Sequence, residues 1–164
     1  MENQIVRHPL PPVYDTQSRI CILGTMPSPT SRKNGFYYGH PQNRFWRVLS
    51  VLLQEPLPQT NEEKKCLVLK HHIALWDTLA ECSVQGASDA SITAPVPNDI
   101  AKLIEKTQIT HIFTTGTKAY QFYTKLCQSE NCPKAIPLPS TSSANARLSL
   151  DDLCAAYRVI LDYI

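Results

Sequence analysis

Short apolar runs alternate with segments of helical periodicity along most of the chain. Short apolar runs predict four buried strands, at residues 19–23, 73–76, 111–113 and 135–138. Apolar side chains at helical spacing predict helices over 41–54, 100–104 and 119–126, with a last helix after residue 149. A further helix over 60–70 is predicted from the capping pattern at its start. Residues 77–97 form a long polar segment with no predicted element.

Three signals predict where helices begin. Thr60 with Glu63, and Ser149 with Asp152, have the spacing of a capping box, in which each residue satisfies a backbone N–H of the other. Pro41 suits the first turn of a helix, because its nitrogen carries no proton that could be left unpaired.

Strands that alternate with helices predict a parallel sheet covered on both faces. The predicted fold class is therefore α/β, with a three-layer αβα arrangement around a short four-stranded parallel sheet. In such sheets, ligands bind beyond the carboxyl ends of the strands. The loops after the first, third and fourth strands are therefore the candidate binding regions.

Length and composition restrict the class of protein. With 164 residues and 43% apolar side chains, the chain predicts one domain over residues 1–164. It lacks an apolar run of the roughly 18 residues that cross a bilayer. Its amino-terminal segment also lacks the apolar core of a secretory signal. We therefore expect a cytoplasmic monomer with no membrane partner.

Basic residues are concentrated in two stretches that contain no Asp or Glu. Residues 16–54 carry five basic side chains, and residues 131–150 carry two. The rest of the chain has 9 basic and 14 acidic residues, so the net charge of +2 conceals an uneven distribution. If the two stretches meet, they form one basic face of the kind that contacts a phosphate backbone. Chance segregation of solvated charges is the alternative.

The six cysteines lack the spacing of a metal site. The sequence has no CxxC pair, and no histidine follows at zinc-finger spacing. We interpret the cysteines as free thiols in a reducing compartment. The sequence also has no GxGxxG or Walker pattern, so we expect neither a metal nor a nucleotide cofactor.

Two loops carry the candidate chemistry. The first extends from Gly24 through Met26, Pro27 and Ser28 to Phe36-Tyr37-Tyr38-Gly39-His40-Pro41-Gln42-Asn43-Arg44-Phe45-Trp46. The second is Leu138-Pro139-Ser140-Thr141-Ser142-Ser143-Ala144-Asn145-Ala146. This ordered pair at strand ends resembles the two signature motifs of the uracil-DNA glycosylase superfamily. It is most similar to the branch that removes hypoxanthine from DNA. The resemblance extends from the first strand to the last helix and implies that superfamily's fold.

The first motif departs from the superfamily at Met26. Most branches have an Asp or Asn there that orients the attacking water, whereas methionine cannot accept a proton or hold a water in that way. The resemblance implies Asn43 as the catalytic residue, with an amide that would position water and stabilise an oxocarbenium-like sugar. His40 and Asn34 are the other polar candidates. Alternatively, Asn43 only ties the loop to the helix.

The resemblance also implies a base pocket. An enzyme that acts on a base extrudes it and holds it against flat side chains, and Tyr38 is the first choice as the stacking residue. Thr115 stands where the superfamily typically has an Asn that reads uracil. Its single hydroxyl predicts a pocket less specific for uracil and roomier for a purine, unless it only caps a turn. The predicted pocket comprises Gly24, Met26, Pro27, Tyr37, Tyr38 and Thr115.

A larger set of residues is predicted to contact DNA. The second loop would offer backbone N–H groups and hydroxyls to phosphates and wedge the duplex. Alternatively, it is an ordinary entry loop to the last helix. The predicted DNA-contacting residues are Ser28, Lys33, Arg44, Pro139, Ser140, Thr141, Ser142, Ser143 and Arg147.

Together these features predict a monofunctional DNA glycosylase of base excision repair, which hydrolyses the N-glycosidic bond of a deaminated nucleoside, with hypoxanthine as the first choice. Neither motif contains a lysine, so we expect no Schiff-base step. A uracil or mismatch-specific glycosylase and a non-catalytic damaged-DNA-binding module are alternatives. A flavodoxin-like enzyme acting on a small molecule is a third.

Overall fold

The structure is a computed structural model that describes residues 3–85 and 89–164. Its strands are β1 (Gln4–Arg7), β2 (Ile20–Gly24), β3 (Ile73–Asp77), β4 (Leu79–Val84), β5 (Thr93–Pro97), β6 (His111–Thr115) and β7 (Ala135–Leu138). Its α-helices are α1 (Pro29–Asn34), α2 (Phe45–Leu53), α3 (Asn61–Lys70), α4 (Ile100–Glu105), α5 (Thr117–Leu126) and α6 (Leu150–Tyr157). Short 3₁₀ helices cover Asp89–Ser91 and Arg158–Asp162.

A four-stranded sheet in the order β3-β2-β6-β7 forms the centre of the fold, and its neighbouring strands are parallel. This confirms the four strands predicted from the apolar runs. The register places Gly24 opposite Asp77 and Thr115 opposite Leu138. The carboxyl ends of the strands therefore lie at one edge of the sheet, which is where ligands bind in sheets of this kind.

Helices cover both faces of this sheet, which confirms the three-layer arrangement. Every residue of β2 is buried. Ile20 and Ile22 pack in a cluster with residues of α2, α3 and α6. Cys21 and Leu23 pack on the opposite face, with residues of α4 and α5. Successive side chains of a strand point to opposite faces, so β2 contributes to both cores.

A second, antiparallel sheet in the order β1-β4-β5 was not predicted. It includes most of the polar stretch at 77–97, where no element was predicted. Its strands are hard to recognise, since β5 contains Pro95 and Pro97 and lies at an edge, where proline is tolerated. The sheet matters for the site because His8 follows β1 and donates its backbone N–H to Ala80 O at 2.7 Å.

Two helices at the amino-terminal side of the site differ from those predicted. Helix α2 begins at Phe45 and not near Pro41, because the Asn43 side chain accepts the Phe45 N–H. Helix α1 lies in a stretch that we expected to be a loop, where the Ser28 hydroxyl caps its start and Gly35 ends it at φ 76°. Among the described residues, no helix is long and apolar enough to cross a membrane.

The two predicted capping boxes differ. At α6, Ser149 and Asp152 cap each other reciprocally, as predicted. At α3, the Thr60 hydroxyl accepts from Glu63 N, but the Glu63 carboxylate accepts from Gln59 N and not from Thr60.

Candidate active site

A pocket of about 580 Å³ lies at the carboxyl ends of β2, β3 and β6, next to the loop that follows β7. Its position is the one predicted for a ligand site in a parallel sheet. Predicted residues that line it are Gly24, Met26, Pro27, Ser28, Tyr37, Tyr38, Asn43, Thr115, Ser140, Ser142 and Ser143. His40 also lines it, whereas Asn34 does not and instead donates its amide to Gly39 O at 3.2 Å.

Tyr38 presents an aromatic ring in this pocket. It stacks on Phe45, with ring centroids 3.9 Å apart and an interplanar angle of 18°. Its backbone has φ 53°, a left-handed conformation that is uncommon for a residue other than glycine. Its hydroxyl lies 3.3 Å from Thr115 Oγ1. Burial and the nearby Asp77 carboxylate raise the pKa of the Tyr38 phenol, so it stays protonated at neutral pH and can donate a hydrogen bond.

The other two aromatics of the first loop belong to the core. Phe36 is 9% exposed and Tyr37 only 2% exposed. The Tyr37 hydroxyl donates to Pro11 O at 2.9 Å, while its carbonyl accepts from Trp46 Nε1 at 3.1 Å. Tyr37 therefore borders the pocket as part of its buried wall, with its ring packed inside the protein.

Met26 packs into an apolar cluster and not into a polar water site. Its neighbours there are Val6, Leu79, Cys82 and Val84 of the antiparallel sheet. At the position where most branches of the resembling superfamily place an acid or amide, this chain thus has an apolar wall. A polar group for the reaction must come from elsewhere in the pocket.

Asn43 joins the two motif loops. Its Oδ1 accepts from Phe45 N at 2.9 Å and from Thr141 Oγ1 at 2.8 Å. A carbonyl oxygen has two lone pairs, so both are used and the Nδ2 amino group is the part left for a ligand. The tie between loop and helix is therefore present, and it orients the amide as a donor beside the pocket.

Arg44 and Thr141 hold the second loop in place through bonds within the protein. The Arg44 guanidinium donates to the carbonyl oxygens of Ser142, Asn145 and Leu148. Its backbone N–H also donates to Thr141 O at 3.0 Å. Thr141 itself is 2% exposed and its hydroxyl is bonded to Asn43. Most polar groups of these two residues bond within the protein, although the buried Arg44 Nε has no hydrogen-bond partner among the described residues. Contact of either residue with DNA stays a prediction.

The same contacts show that the two acid-free stretches meet in the fold. Arg44 belongs to the first stretch, and its loop partners belong to the second. Lys33 and Arg147 are exposed. Pro139 does not line the pocket, and its carbonyl accepts from the Tyr157 hydroxyl at 2.5 Å. Phosphate contacts by Lys33 and Arg147 stay predictions.

The pocket also contains a buried carboxylate that was not predicted from the sequence. Asp77 ends β3 and lines the pocket, and its side chain is 5% exposed. Its Oδ2 is 2.7 Å from Nε2 of His8, whose side chain is 3% exposed. A Cβ at Gly24 would lie 2.4 Å from Asp77 Oδ1, so only glycine leaves room for this carboxylate. Asp77 directly follows the second apolar run, and this position was the available signal. It was not recognised because the candidate loops were those after the first, third and fourth strands.

Comparisons with known proteins identify the family to which the chain is similar. The sequence profile of the uracil DNA glycosylase superfamily matches residues 11–163. A protein of Methanosarcina acetivorans named hypoxanthine DNA glycosylase is 35% identical over 147 residues, which cover 88% of this chain and 92% of that protein. A protein of the same name from Methanosarcina barkeri is 39% identical over 83 residues, 50% of this chain and 52% of that protein.

A solved structure is similar over nearly the whole chain. It is a solution NMR structure from Methanosarcina acetivorans, provisionally named a uracil DNA glycosylase, with a TM-score of 0.77 and 34% sequence identity. The match covers 96% of this chain and 99% of that one.

Proposed function

The chain belongs to the uracil DNA glycosylase superfamily and is a DNA glycosylase, and from this premise we propose that it removes hypoxanthine from deoxyinosine in DNA. Near-full-length similarity to a relative named hypoxanthine DNA glycosylase supports this substrate. The observation that carries the proposal is the pocket, in which the Tyr38 ring, backed by Phe45, meets polar groups at the sheet edge. Its volume is within the range of small-molecule sites and admits a bicyclic base.

The reaction is a hydrolysis. The deoxyinosine nucleotide rotates out of the duplex and its base stacks on the free face of Tyr38. The bond between C1′ and N9 breaks, and the bonding electrons leave with the base. A water oxygen then bonds to C1′, and the proton that the water loses balances the charge of the departing base. The products are free hypoxanthine and an abasic site.

Asn43 is the residue we propose for positioning that water. Because its Oδ1 is bonded to Phe45 N and Thr141 Oγ1, the Nδ2 amino group is the available contact. It donates to the water oxygen or to the departing base, and no change of protonation is needed. Stabilisation of the sugar cation by Oδ1 has less support, since that oxygen is directed at the protein.

Contacts to the DNA backbone are proposed for exposed groups on the same side. Ser28, Ser143, Lys33 and Arg147 are exposed. Ser140 and Ser142 line the pocket beside them. Small hydroxyl side chains let a phosphate approach the backbone N–H groups, and the two cations neutralise its charge.

Uracil is a second candidate base, because the similar NMR structure is provisionally named a uracil DNA glycosylase. Two features of the pocket argue for hypoxanthine. Thr115 offers one hydroxyl where two directed bonds would hold a pyrimidine edge, and Met26 leaves an apolar wall on one side.

The test is single-turnover cleavage of matched duplexes that contain inosine, uracil or no lesion. We expect the inosine duplex to be cleaved fastest, and Asn43→Ala to lower that rate by about 10²–10³-fold, the usual effect of removing one preorganised polar group. Gln42→Ala is the matched control, because Gln42 is exposed and does not line the pocket. Full activity in Asn43→Ala would remove Asn43 from the mechanism and direct attention to His40.

A further inference from the structure

The buried pair of Asp77 and His8 has a defined arrangement of protons. Leu10 N donates to His8 Nδ1 at 3.3 Å, so Nδ1 carries the lone pair and Nε2 carries the hydrogen of a neutral imidazole. Nε2 then donates to Asp77 Oδ2 at 2.7 Å. Oδ2 therefore accepts this hydrogen bond, and in a carboxylate the other oxygen, Oδ1, is an acceptor as well.

One oxygen of this carboxylate is left for a ligand. Oδ1 has no hydrogen-bond partner among residues 3–85 and 89–164, and it borders Gly24 in the pocket. The Tyr38 hydroxyl lies 3.4 Å from the position that a Cβ at Gly24 would take, a position that Oδ1 also approaches. The Tyr38 ring is stacked on Phe45. A base stacked on Tyr38 would therefore direct its edge towards Oδ1. Because a buried polar atom without a hydrogen bond costs free energy, we expect a donor on the ligand to bond to Oδ1.

We propose that Asp77 determines which base is accepted, with Oδ1 accepting a hydrogen bond from the ring N1–H of hypoxanthine and His8 holding the carboxylate as a positioning residue. This inference rests on the proposed function. Hypoxanthine carries a hydrogen on N1, whereas adenine has a lone pair there. The carboxylate therefore attracts the deaminated base and repels adenine, which is the discrimination that repair of deaminated adenine requires.

Guanine also carries a hydrogen on N1, and Asp77 alone does not reject it. Its exclusion comes from the cost of extrusion, which is lower for a mispaired base than for a guanine paired with cytosine. The role of Asp77 is thus the distinction between a purine lactam and adenine.

The isosteric variant Asp77→Asn gives a specific expectation. His8 Nε2–H would still donate to the side-chain oxygen, so the amide would turn its NH₂ group towards the pocket. A donor there matches the N1 lone pair of adenine and opposes the N1–H of hypoxanthine. The preference between the two bases should therefore reverse, a result that a merely damaged pocket does not produce.

The experiment measures equilibrium binding to uncleavable duplexes that carry 2′-fluoro-deoxyinosine or 2′-fluoro-deoxyadenosine. The electron-withdrawing fluorine opposes positive charge at C1′ and prevents cleavage. Each test nucleotide is placed opposite an abasic analogue, so that neither base has to break a pair. A duplex with abasic analogues at both positions reports the integrity of the DNA-binding face.

We expect the wild-type chain to prefer inosine over adenosine. Asp77→Asn should lower the ratio of the two affinities by at least about ten- to hundredfold, the equivalent of one hydrogen bond to a charged group, and bring it below one, so that adenosine is preferred. His8→Phe should lower it in the same direction, and His8→Gln, which retains a donor, should recover part of it. All variants should bind the duplex without a test base as the wild type does.

Two results would overturn the inference. An unchanged ratio in Asp77→Asn, with a slower cleavage of inosine, would show that Asp77 acts on the chemical step and not on base choice. No preference in the wild-type chain itself would overturn the proposed hypoxanthine substrate together with this inference. The wild-type ratio and the variant ratio thus separate the two failures.

Discussion

Gly24→Ala tests the geometry at the bottom of the pocket with a single methyl group. The added Cβ would lie 2.4 Å from Asp77 Oδ1 and 3.4 Å from the Tyr38 hydroxyl. Ordinary non-bonded contacts are about 3.5 Å or longer, so the carboxylate must recede by about 1 Å. The 2.7 Å bond to His8 limits that movement, and both partners are almost fully buried.

This clash should lower both the free energy of unfolding and the rate of cleavage. Disrupting a buried ion pair costs about 3–5 kcal/mol, and a partial displacement with His8 in its neutral form should cost less, about 2 kcal/mol of unfolding free energy. A misplacement of about 1 Å in an active site lowers the rate by about 10²-fold. We therefore expect a folded but less stable variant with a strongly reduced rate of cleavage.

The assay combines urea denaturation with single-turnover cleavage of an inosine duplex. Gly35→Ala is the matched control, because its Cβ would meet no atom within 4 Å. The φ of 76° at Gly35 makes that change cost about 1 kcal/mol of stability, without an effect on the rate. If Gly24→Ala cleaved at the wild-type rate with unchanged stability, the close approach of Gly24 and Asp77 would be refuted.

Three further predictions concern the stacking ring and the loops. Tyr38→Ala should weaken binding to an uncleavable inosine duplex by about 1–3 kcal/mol, and Tyr38→Phe should retain most of it, as measured by titration. Thr141→Val removes a donor to Asn43 Oδ1, so single-turnover cleavage should slow while the duplex still binds; an unchanged rate would contradict this role. Arg147→Ala should reduce the salt slope of DNA affinity by about 0.9, whereas Arg44→Ala should weaken binding by loosening the loop and leave the slope unchanged.

The sheet and the location of the site were predictable because they depend on local patterns. Apolar runs identified the strands β2, β3, β6 and β7, and the parallel arrangement followed from the helices between them. The loops at the strand ends contain most of the residues that line the pocket. The local sequence is therefore sufficient to predict the parallel sheet and the edge at which the pocket lies.

The internal partners of the site were not predictable in the same way. His8 and Asp77 are 69 positions apart, and their contact depends on β1 joining β4. Thr141 and Asn43 are 98 positions apart, and their side chains are bonded to each other. A serine- or threonine-rich loop beside basic residues indicates a nucleic-acid surface, but the pattern alone does not show which hydroxyls and guanidinium groups are used internally. Long-range pairing decides that.

The most direct test of the proposed substrate is the identity of the base that is released. A single duplex carrying one deoxyinosine and one deoxyuridine is incubated with excess protein, and the free bases are separated and quantified over time. We expect hypoxanthine to appear first, with an abasic site at the inosine position and no release of adenine. Release of uracil ahead of hypoxanthine would contradict it.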